Sequence, residues 1–338
     1  MASFSDIKQM LGGQLLGRKF LPKVDLSGKT AVVTGGNTGI GFETAKHLVR
    51  LKVSDMILAC RSVEKGNAAR KAIIKEMGPS IIANIEVWPL DLADYRSVLS
   101  FGERVRSELT RLDIFVANAG VELLKFDVAE GLERTLTVNV ISTILGAISV
   151  IPKLRETSER YNTQTNLTFT GSIYHIFGST PELEIPADVD IFDALSKRDA
   201  ADMSVRYALS KLILHQCHTE LAVRVSSSEA PGKSRVVMNI VNPGWCRTGL
   251  ARHKEEHPLG ERIGFSLIGW TGEQGSRIVV YAATLGEESH GAFVSECALK
   301  PESAFIRSDA GRKIQKRVWA DLTARLEKIS PEVLSFIR

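Results

Sequence analysis

The chain is poor in the residues that would fix a metal or a disulfide framework. Its four cysteines, Cys60, Cys217, Cys246 and Cys297, lie far apart in 338 residues and share no ligand spacing. They read as reduced thiols of a cytoplasmic protein, and no metal is expected. No block of Lys and Arg is dense enough for nucleic acid. The formal charge of +4 comes from basic residues scattered over a solvated surface. Met1 to Lys23 contains no sustained apolar core, so no secretory signal is expected. The longest apolar run, Val138 to Ile151, is too short to span a bilayer and ends at Pro152. Stable membrane insertion is not expected, while contact of an amphipathic N-terminal segment with a membrane stays open. Internal repeats, low-complexity tracts and domain-splitting linkers are lacking too. The rest is ordinary: 44% hydrophobic and 24% charged residues suit a globular protein with a sizeable core.

What is present begins with residues 1–24, which read as an N-terminal arm. Phe4, Ile7, Met10, Leu11 and Leu15 recur at near-helical spacing and predict a short helix, weakened by Gly12-Gly13. A β-branched, apolar strand is predicted over Thr30 to Thr34. It runs into Thr34-Gly35-Gly36-Asn37-Thr38-Gly39-Ile40-Gly41, which opens a helix through about Lys52. The glycines do separate jobs. Gly35 permits the tight turn, Gly39 lets backbone approach a pyrophosphate, and Gly41 lets helix and strand pack closely. Asn37, Thr38 and Ile40 complete a phosphate site at the positive end of the helix dipole.

The second strand, Asp55 to Cys60, lacks the carboxylate that would bind the ribose 2′-hydroxyl of NAD about 20 positions after the glycines. Cys60 holds that place and Arg61 follows. An arginine can neutralise a 2′-phosphate with paired hydrogen bonds, which favours NADP(H) over NAD(H). The alternative is a solvated Arg61 at a strand end. Ser62 and Lys65 either assist or merely start the next helix, Val63 to Met77. Asp91 follows a third strand over Asn84 to Trp88 and has two readings: an acceptor for an adenine amino group, or a cap for the helix beginning near Asp94. A fourth strand, Leu112 to Ala117, delivers Asn118-Ala119-Gly120, small residues against which a flat cofactor can lie. The helix after it, about Leu132 to Leu154, is nearly apolar all round, which suggests burial in a subunit interface. Asn139 inside it is either a self-satisfied core amide or the holder of a water in a relay toward Lys211.

A fifth strand, Asn166 to Thr170, ends in Gly171-Ser172. Residues 178–204, acidic and marked by Pro181 and Pro186, read as an inserted surface loop. Tyr207 and Lys211 head an apolar run to Val225 and, four apart, share one helical face. A free phenol has a pKa of about 10. A nearby fixed cation pulls it down, so such a tyrosine can pass a proton near neutral pH. Alone, the pair could equally be a core-edge aromatic and a solvated lysine. After a strand over Arg235 to Val241, Pro243-Gly244 makes a sharp turn whose backbone, with Cys246 and the Thr248 hydroxyl, can meet a nicotinamide. Residues 250–270, with Gly260, Gly264 and Gly269, suit a mobile lid. A helix near Gly272 to Thr284, a strand near Gly291 to Ser295 and a C-terminal helix near 309–329 complete the chain. Strands alternating with helices predict a single α/β Rossmann domain over 25–338, a doubly wound parallel sheet of about seven strands in the order 3-2-1-4-5-6-7 with helices on both faces.

With the glycine loop, the Asn-Ala-Gly turn, Ser172, Tyr207/Lys211 and Asn242-Pro243-Gly244 in one order, residues 26–300 resemble the short-chain dehydrogenase/reductase family. The run Ala59 to Gly66 and the segment Gln274 to Ala283 look most similar to retinol-dehydrogenase-like members and to fungal reductases of secondary metabolism. The resemblance implies a catalytic tetrad. In it Tyr207 is the acid/base, Ser172 orients the substrate oxygen, Lys211 lowers the tyrosine pKa and holds the nicotinamide ribose, and Asn139 supports the relay. Three departures stand out. Ser172 lies 35 residues before Tyr207, an excess that the acidic insertion accounts for. Ala117 stands where an asparagine often precedes Asn118-Ala119-Gly120, and Gly171 replaces a first serine. None removes a reacting group.

The expected activity is reversible reduction of a ketone or aldehyde by NADPH. Two rivals keep the fold: a cofactor-binding enzyme steering a non-redox cyclisation or elimination, and a cofactor-sensing binding protein without catalysis. The substrate lining is expected from Val121 to Lys125, Ile173 to Gly178 and Leu250 to Trp270, and its many apolar residues (Leu123, Leu124, Ile176, Phe177, Phe265, Leu267, Trp270) predict a bulky apolar substrate. His175 either contacts it or is a surface-loop histidine. The Val138–Ile151 and Tyr207 helices are candidates to pair across a homodimer.

Overall fold

The computed structural model describes residues 2–337 apart from 79–80, 179–180, 228–235, 248 and 252–266. Strands β1 (Thr30–Thr34), β2 (Asp55–Cys60), β3 (Asn84–Pro89) and β4 (Ile114–Ala117) come first, then a two-residue ribbon of β5 (Val128–Ala129) and β6 (Leu132–Glu133). After β7 (Thr165–Thr170) and β8 (Val236–Asn242), β9 (Cys246–Arg247) pairs with β10 (Trp270–Thr271), and β11 (Ala292–Ser295) and β12 (Ala298–Lys300) close the series. Among the described residues eight of these form one sheet in the order β12-β11-β8-β7-β4-β1-β2-β3. Seven run parallel in the expected order. The eighth, β12, is an antiparallel edge strand on β11. It was not expected because its turn, Glu296-Cys297, carries no Asn-Gly or Asp-Gly signal, yet both residues take positive φ, 50° and 52°.

The helices are α1 (Phe4–Leu16), α2 (Gly39–Arg50), α3 (Val63–Met77), α4 (Tyr95–Glu108), α5 (Arg134–Leu136), α6 (Thr143–Tyr161), α7 (Ile191–Leu195), α8 (Arg206–Ser227), α9 (Gly272–Ala282), α10 (Ala304–Arg307) and α11 (Asp309–Ile329). Apolar residues of α2, α3 and α9 cover one face of the sheet, and those of α4, α6, α8 and α11 cover the other. All five residues of β1 are buried, as a parallel strand covered on both sides requires.

The apolar helix after β6 is longer and more irregular than its sequence suggests. A π-helical turn, Thr137–Ser142, precedes α6, which continues past Pro152 to Tyr161. Burial of the flanking turns outweighs the one backbone hydrogen bond that a proline removes. The stretch Arg134–Tyr161 is long and apolar enough to cross a bilayer, but 94% of its most apolar window is buried in the fold. The sheet, α4 and the C-terminal turn Val333–Ile337 surround it, with Arg155 Nη1 donating to Phe336 O at 2.7 Å. The faces of α6 and α8 that suggested pairing across a dimer are thus consumed inside the chain, because α11 and the C-terminal turn cover them.

The arm is likewise built in. Helix α1 runs through Gly12-Gly13, and the glycine at 13 admits the Glu296 side chain, which any Cβ there would overlap. Asp6 on its inner face accepts from Ala304 N at 3.1 Å.

Residues 181–204 are not a plain surface loop. They contain a 3-10 turn, Pro181–Leu183, and α7, and they bury Leu183, Ile191, Phe192 and Leu195 in the main core. Arg325 on α11 grips Asp190 and Asp193 at 2.8 and 2.9 Å. Arg206, fully buried at the head of α8, sits 2.8 Å from Glu182 and 3.8 Å from Glu133. Burial raises the Glu182 carboxyl, and the Arg206 charge opposes that. The insertion is therefore tied to the residue next to Tyr207. Glu182→Gln should destabilise the fold by roughly 3 kcal/mol, because it removes the nearer of the two carboxylates facing a buried guanidinium. Adding Arg206→Met should recover most of that loss; urea midpoints at unchanged slope give both values.

Candidate active site

The crevice begins where the strand order reverses, between β1 and β4. Thr34 Oγ1 accepts from the backbone N–H of Asn118 and of Ala119, both at 2.9 Å. Asn118 Nδ2 returns a bond to Thr34 O at 2.9 Å. These bonds pin the ends of β1 and β4 together. Gly35 and Gly39 have φ of 67° and 57°, where a side chain would be strained. A Cβ at Gly41 would overlap the Asn118 amide and the Gly35 carbonyl, so the first turn of α2 touches the β4 end directly. Thr38, the N-cap of α2, makes no side-chain capping bond, which leaves first-turn N–H groups for a ligand. A dinucleotide's pyrophosphate fits this cradle.

A cavity of about 520 Å³ opens over these strand ends. Gly35, Asn37, Thr38, Gly39, Ile40 and Gly41 line it from the glycine turn, Arg61 from the end of β2 and Asp91 from beyond β3. Asn118, Ala119 and Gly120 follow β4. Ser172, Tyr207, Lys211, Pro243, Gly244 and Cys246 complete the same wall. Thr248, Phe265 and most of the expected lid lie outside the described residues.

The reacting groups are close. Ser172 takes extended backbone and caps the 3-10 turn Ile173–Phe177, accepting from Tyr174 N at 3.2 Å. Its hydroxyl shares the cavity wall with the Tyr207 phenol and favours that group's ionised form. Lys211 Nζ, almost wholly buried, donates to Thr170 O at 2.9 Å. Burial pulls its ammonium down to about 8, with Glu122 opposing. Tyr207 moves the other way. Burial raises its phenol, the Glu122 charge adds to that, and the Ser172 hydroxyl only partly offsets it. The expected lowering of this pKa by Lys211 is therefore not what the site produces. The ammonium is directed at Thr170 O, and desolvation of the phenolate wins.

Asn139, in the π turn, stands behind this wall. Its Oδ1 accepts from Val121 N at 2.8 Å, and its Nδ2 donates to Val121 O at 2.9 Å and Ser210 Oγ at 3.0 Å. Ser210 Oγ in turn donates to Tyr207 O at 2.8 Å. Asp91 is not the cap of α4; Asp94 is, accepting from Arg96 N at 2.8 Å. Asp91 Oδ1 accepts from Ala93 N at 2.9 Å. Ser62 caps α3 through Lys65 N at 3.2 Å while also lining the cavity.

Of the apolar residues singled out for the lining, only Leu123 among the described ones is in place; Leu124, Phe177 and Leu267 do not line the cavity, and three further expectations fail. His175 is a core histidine, with Nδ1 2.8 Å from Ser172 O and burial holding its imidazole down to about 3. Ile176 is buried in the core, and Trp270 packs on Gly244. Glu122 and Tyr174, from the expected lining segments 121–125 and 173–178, do line this end, and Trp245, which was not expected there, joins them. Tyr174 meets Tyr207 and Trp245 edge-on, with centroids 6.2 and 6.3 Å apart. The only sequence signal for Trp245 was a place just after a strand's carboxyl end.

The family model for short chain dehydrogenases matches residues 29–166. The short chain dehydrogenase/reductase dmxR8 of Cryptosporiopsis sp. (strain 8999) is 40% identical over 323 residues, 93% of this chain and 95% of that protein. The chain belongs to the short-chain dehydrogenase/reductase family. The short-chain dehydrogenase anuD of Penicillium roqueforti (strain FM164) is 35% identical, across 96% of this short-chain dehydrogenase/reductase and 84% of its relative. A short chain dehydrogenase from Burkholderia cenocepacia J2315, solved in complex with NADP, shares the fold. Its TM-score is 0.57 at 24% identity, over 79% of this chain and 96% of that one.

Of Tyr207 and Lys211 in this dehydrogenase/reductase, the Lys211 ammonium titrates nearer neutrality. Turnover in the reducing direction should fall as pH rises through about 8, where Lys211 loses its proton. No separate Tyr207 limb should appear below pH ~10. Glu122→Gln should move the limb to lower pH, since the lost carboxylate favoured the ammonium. A rate flat to pH ~10 contradicts this assignment.

Proposed function

We propose that the protein is an NADPH-dependent carbonyl reductase, reversible in principle, acting on a bulky apolar ketone or aldehyde of fungal secondary metabolism. One observation carries the reading: Ser172, Tyr207 and Lys211 converge in the cavity that also receives the glycine turn. When bound, NADPH supplies the hydride to the carbonyl carbon. The chain's own groups do the rest. Ser172 and Tyr207 present adjoining hydroxyls to the carbonyl oxygen, where negative charge develops. Tyr207 keeps its proton across the physiological range, so it gives that proton up only to a strongly basic alkoxide. Lys211, with one N–H on Thr170 O, has two left to hold a ribose hydroxyl and return a proton toward the phenol. Asn139 steadies Val121 and, through Ser210, the backbone carbonyl of Tyr207.

Arg61, Ser62 and Lys65 line the rim beyond β2, where Cys60 stands in place of a carboxylate, and this supports NADPH over NADH. NADP in the Burkholderia cenocepacia structure supports it too. The fungal sources of the relatives support a role in secondary metabolism. Leu123, Tyr174 and Trp245 support an apolar substrate. The finer likeness to retinol-dehydrogenase-like members rests on Ala59 to Gly66 and on Gln274 to Ala283. Four free thiols suit a cytoplasmic setting.

The deciding experiment follows oxidation of NADPH and NADH in the reduced-nicotinamide band against a panel of ketones and aldehydes. Tyr207→Phe should lower turnover by at least about 10³-fold while NADPH binding stays near wild type; full activity in that variant defeats the assignment. Arg61→Ala should weaken NADPH by about 10- to 100-fold and leave NADH almost unchanged. Equal losses for both cofactors would place the 2′-phosphate elsewhere.

A further inference from the structure

We propose that Gln14, on the N-terminal arm, is a positioning residue for the carbonyl site and acts through Trp245. What Trp245 does there rests on the reductase reading; how it is held does not.

Gln14 is only 7% exposed. A buried primary amide must place two donors and an acceptor, and Gln14 spends them on two stretches far along the chain. Its Oε1 accepts from Trp245 N at 2.8 Å, and its Nε2 donates to Trp245 O at 3.2 Å and to Ile268 O at 2.7 Å. Two bonds to one residue are what an adjacent strand would supply, so the side-chain amide stands in for a strand beside Trp245. The Gln14 carbonyl accepts from Trp270 Nε1 at 2.9 Å, and Trp270 N donates to Trp245 O at 2.8 Å. The Trp270 ring lies on Gly244, where a Cβ would overlap it, and Lys19 Nζ sits 4.0 Å above the ring. One amide thereby joins the arm, the turn after β8 and the residues leading into β10.

The link continues to the reacting hydroxyl. Trp245 lines the cavity and meets Tyr174 edge-on, and Tyr174 meets Tyr207. Movement of the Trp245 backbone therefore reaches the wall facing Tyr207 through two ring contacts. Small displacements of such a wall change how a bound substrate is held.

Gln14→Met keeps the length of the side chain and removes its hydrogen bonds. Amide exchange in residues 243–247 should speed up at least about tenfold. The dissociation constant of 1-tetralone in the presence of NADP⁺, measured by calorimetry, should weaken about tenfold in the wild-type background and by less than about twofold in a Trp245→Ala background. KM should carry the loss rather than kcat. Equal losses in both backgrounds, or unchanged exchange at 243–247, overturn the proposal in favour of a merely structural arm. Where Gln14→Met does not fold, Trp270→Phe removes the bond to the Gln14 backbone carbonyl along with part of the ring packed on Gly244, and should loosen the same exchange. The exchange result decides whether Gln14 holds Trp245. Absence of NADPH oxidation across the carbonyl panel would remove the reductase reading instead.

Discussion

A single hydroxyl sets the geometry of the crevice. Thr34 ends β1, and its Oγ1 takes the N–H groups of Asn118 and Ala119 at the end of β4. Those N–H groups have left the ladder, because the two strands diverge there. Without the hydroxyl the Asn118 N–H would keep only Val116 O, at 3.0 Å, and the Ala119 N–H would lose its bond at the edge of a cavity. The bond brings the Asn118 amide against Gly41 and thus sets the first turn of α2 against the β4 end. The glycine turn, the Asn-Ala-Gly turn and the floor of the cavity share this one fastening.

Dryness is the second constraint. Lys211, Tyr207 and His175 all sit where charge is poorly solvated, and each shifts toward its neutral form. The consequence for chemistry is that the phenol is held as an acid. Glu122 sharpens the contrast by favouring the ammonium and disfavouring the phenolate. On the proposed reductase reading, proton transfer is then reserved for a moment when a stronger base, the developing alkoxide, stands beside Tyr207.

Around this centre three additions behave as parts of one body. The arm reaches Trp245 through Gln14. The insertion reaches the head of α8 through Glu182 and Arg206. The C-terminal turn covers α6 through Phe336. Each hides apolar surface that would otherwise face water. Their sequences misled in a consistent way. Gly12-Gly13 looks like a helix breaker until Glu296 fills the space. Residues 181–204 look like a loop because Asp190, Asp193 and Glu182 are acidic, yet each carboxylate has its arginine far along the chain. The helix expected to stop near Leu154 runs on to Tyr161 because the packing that extends it is not local.

The chain's own order of residues determined the parallel strand order, the glycine turn, the absent carboxylate after β2, and the single helical face of Tyr207 and Lys211. These follow from periodicity, backbone sterics and spacing, which act between near neighbours. Tertiary structure alone decided which way the Tyr207 pKa moves, that His175 is core, that Trp245 faces the cavity, and that an arm glutamine braces the turn after β8. Those outcomes depend on desolvation and on contacts between residues hundreds of positions apart, and such distances leave no periodic trace along a sequence.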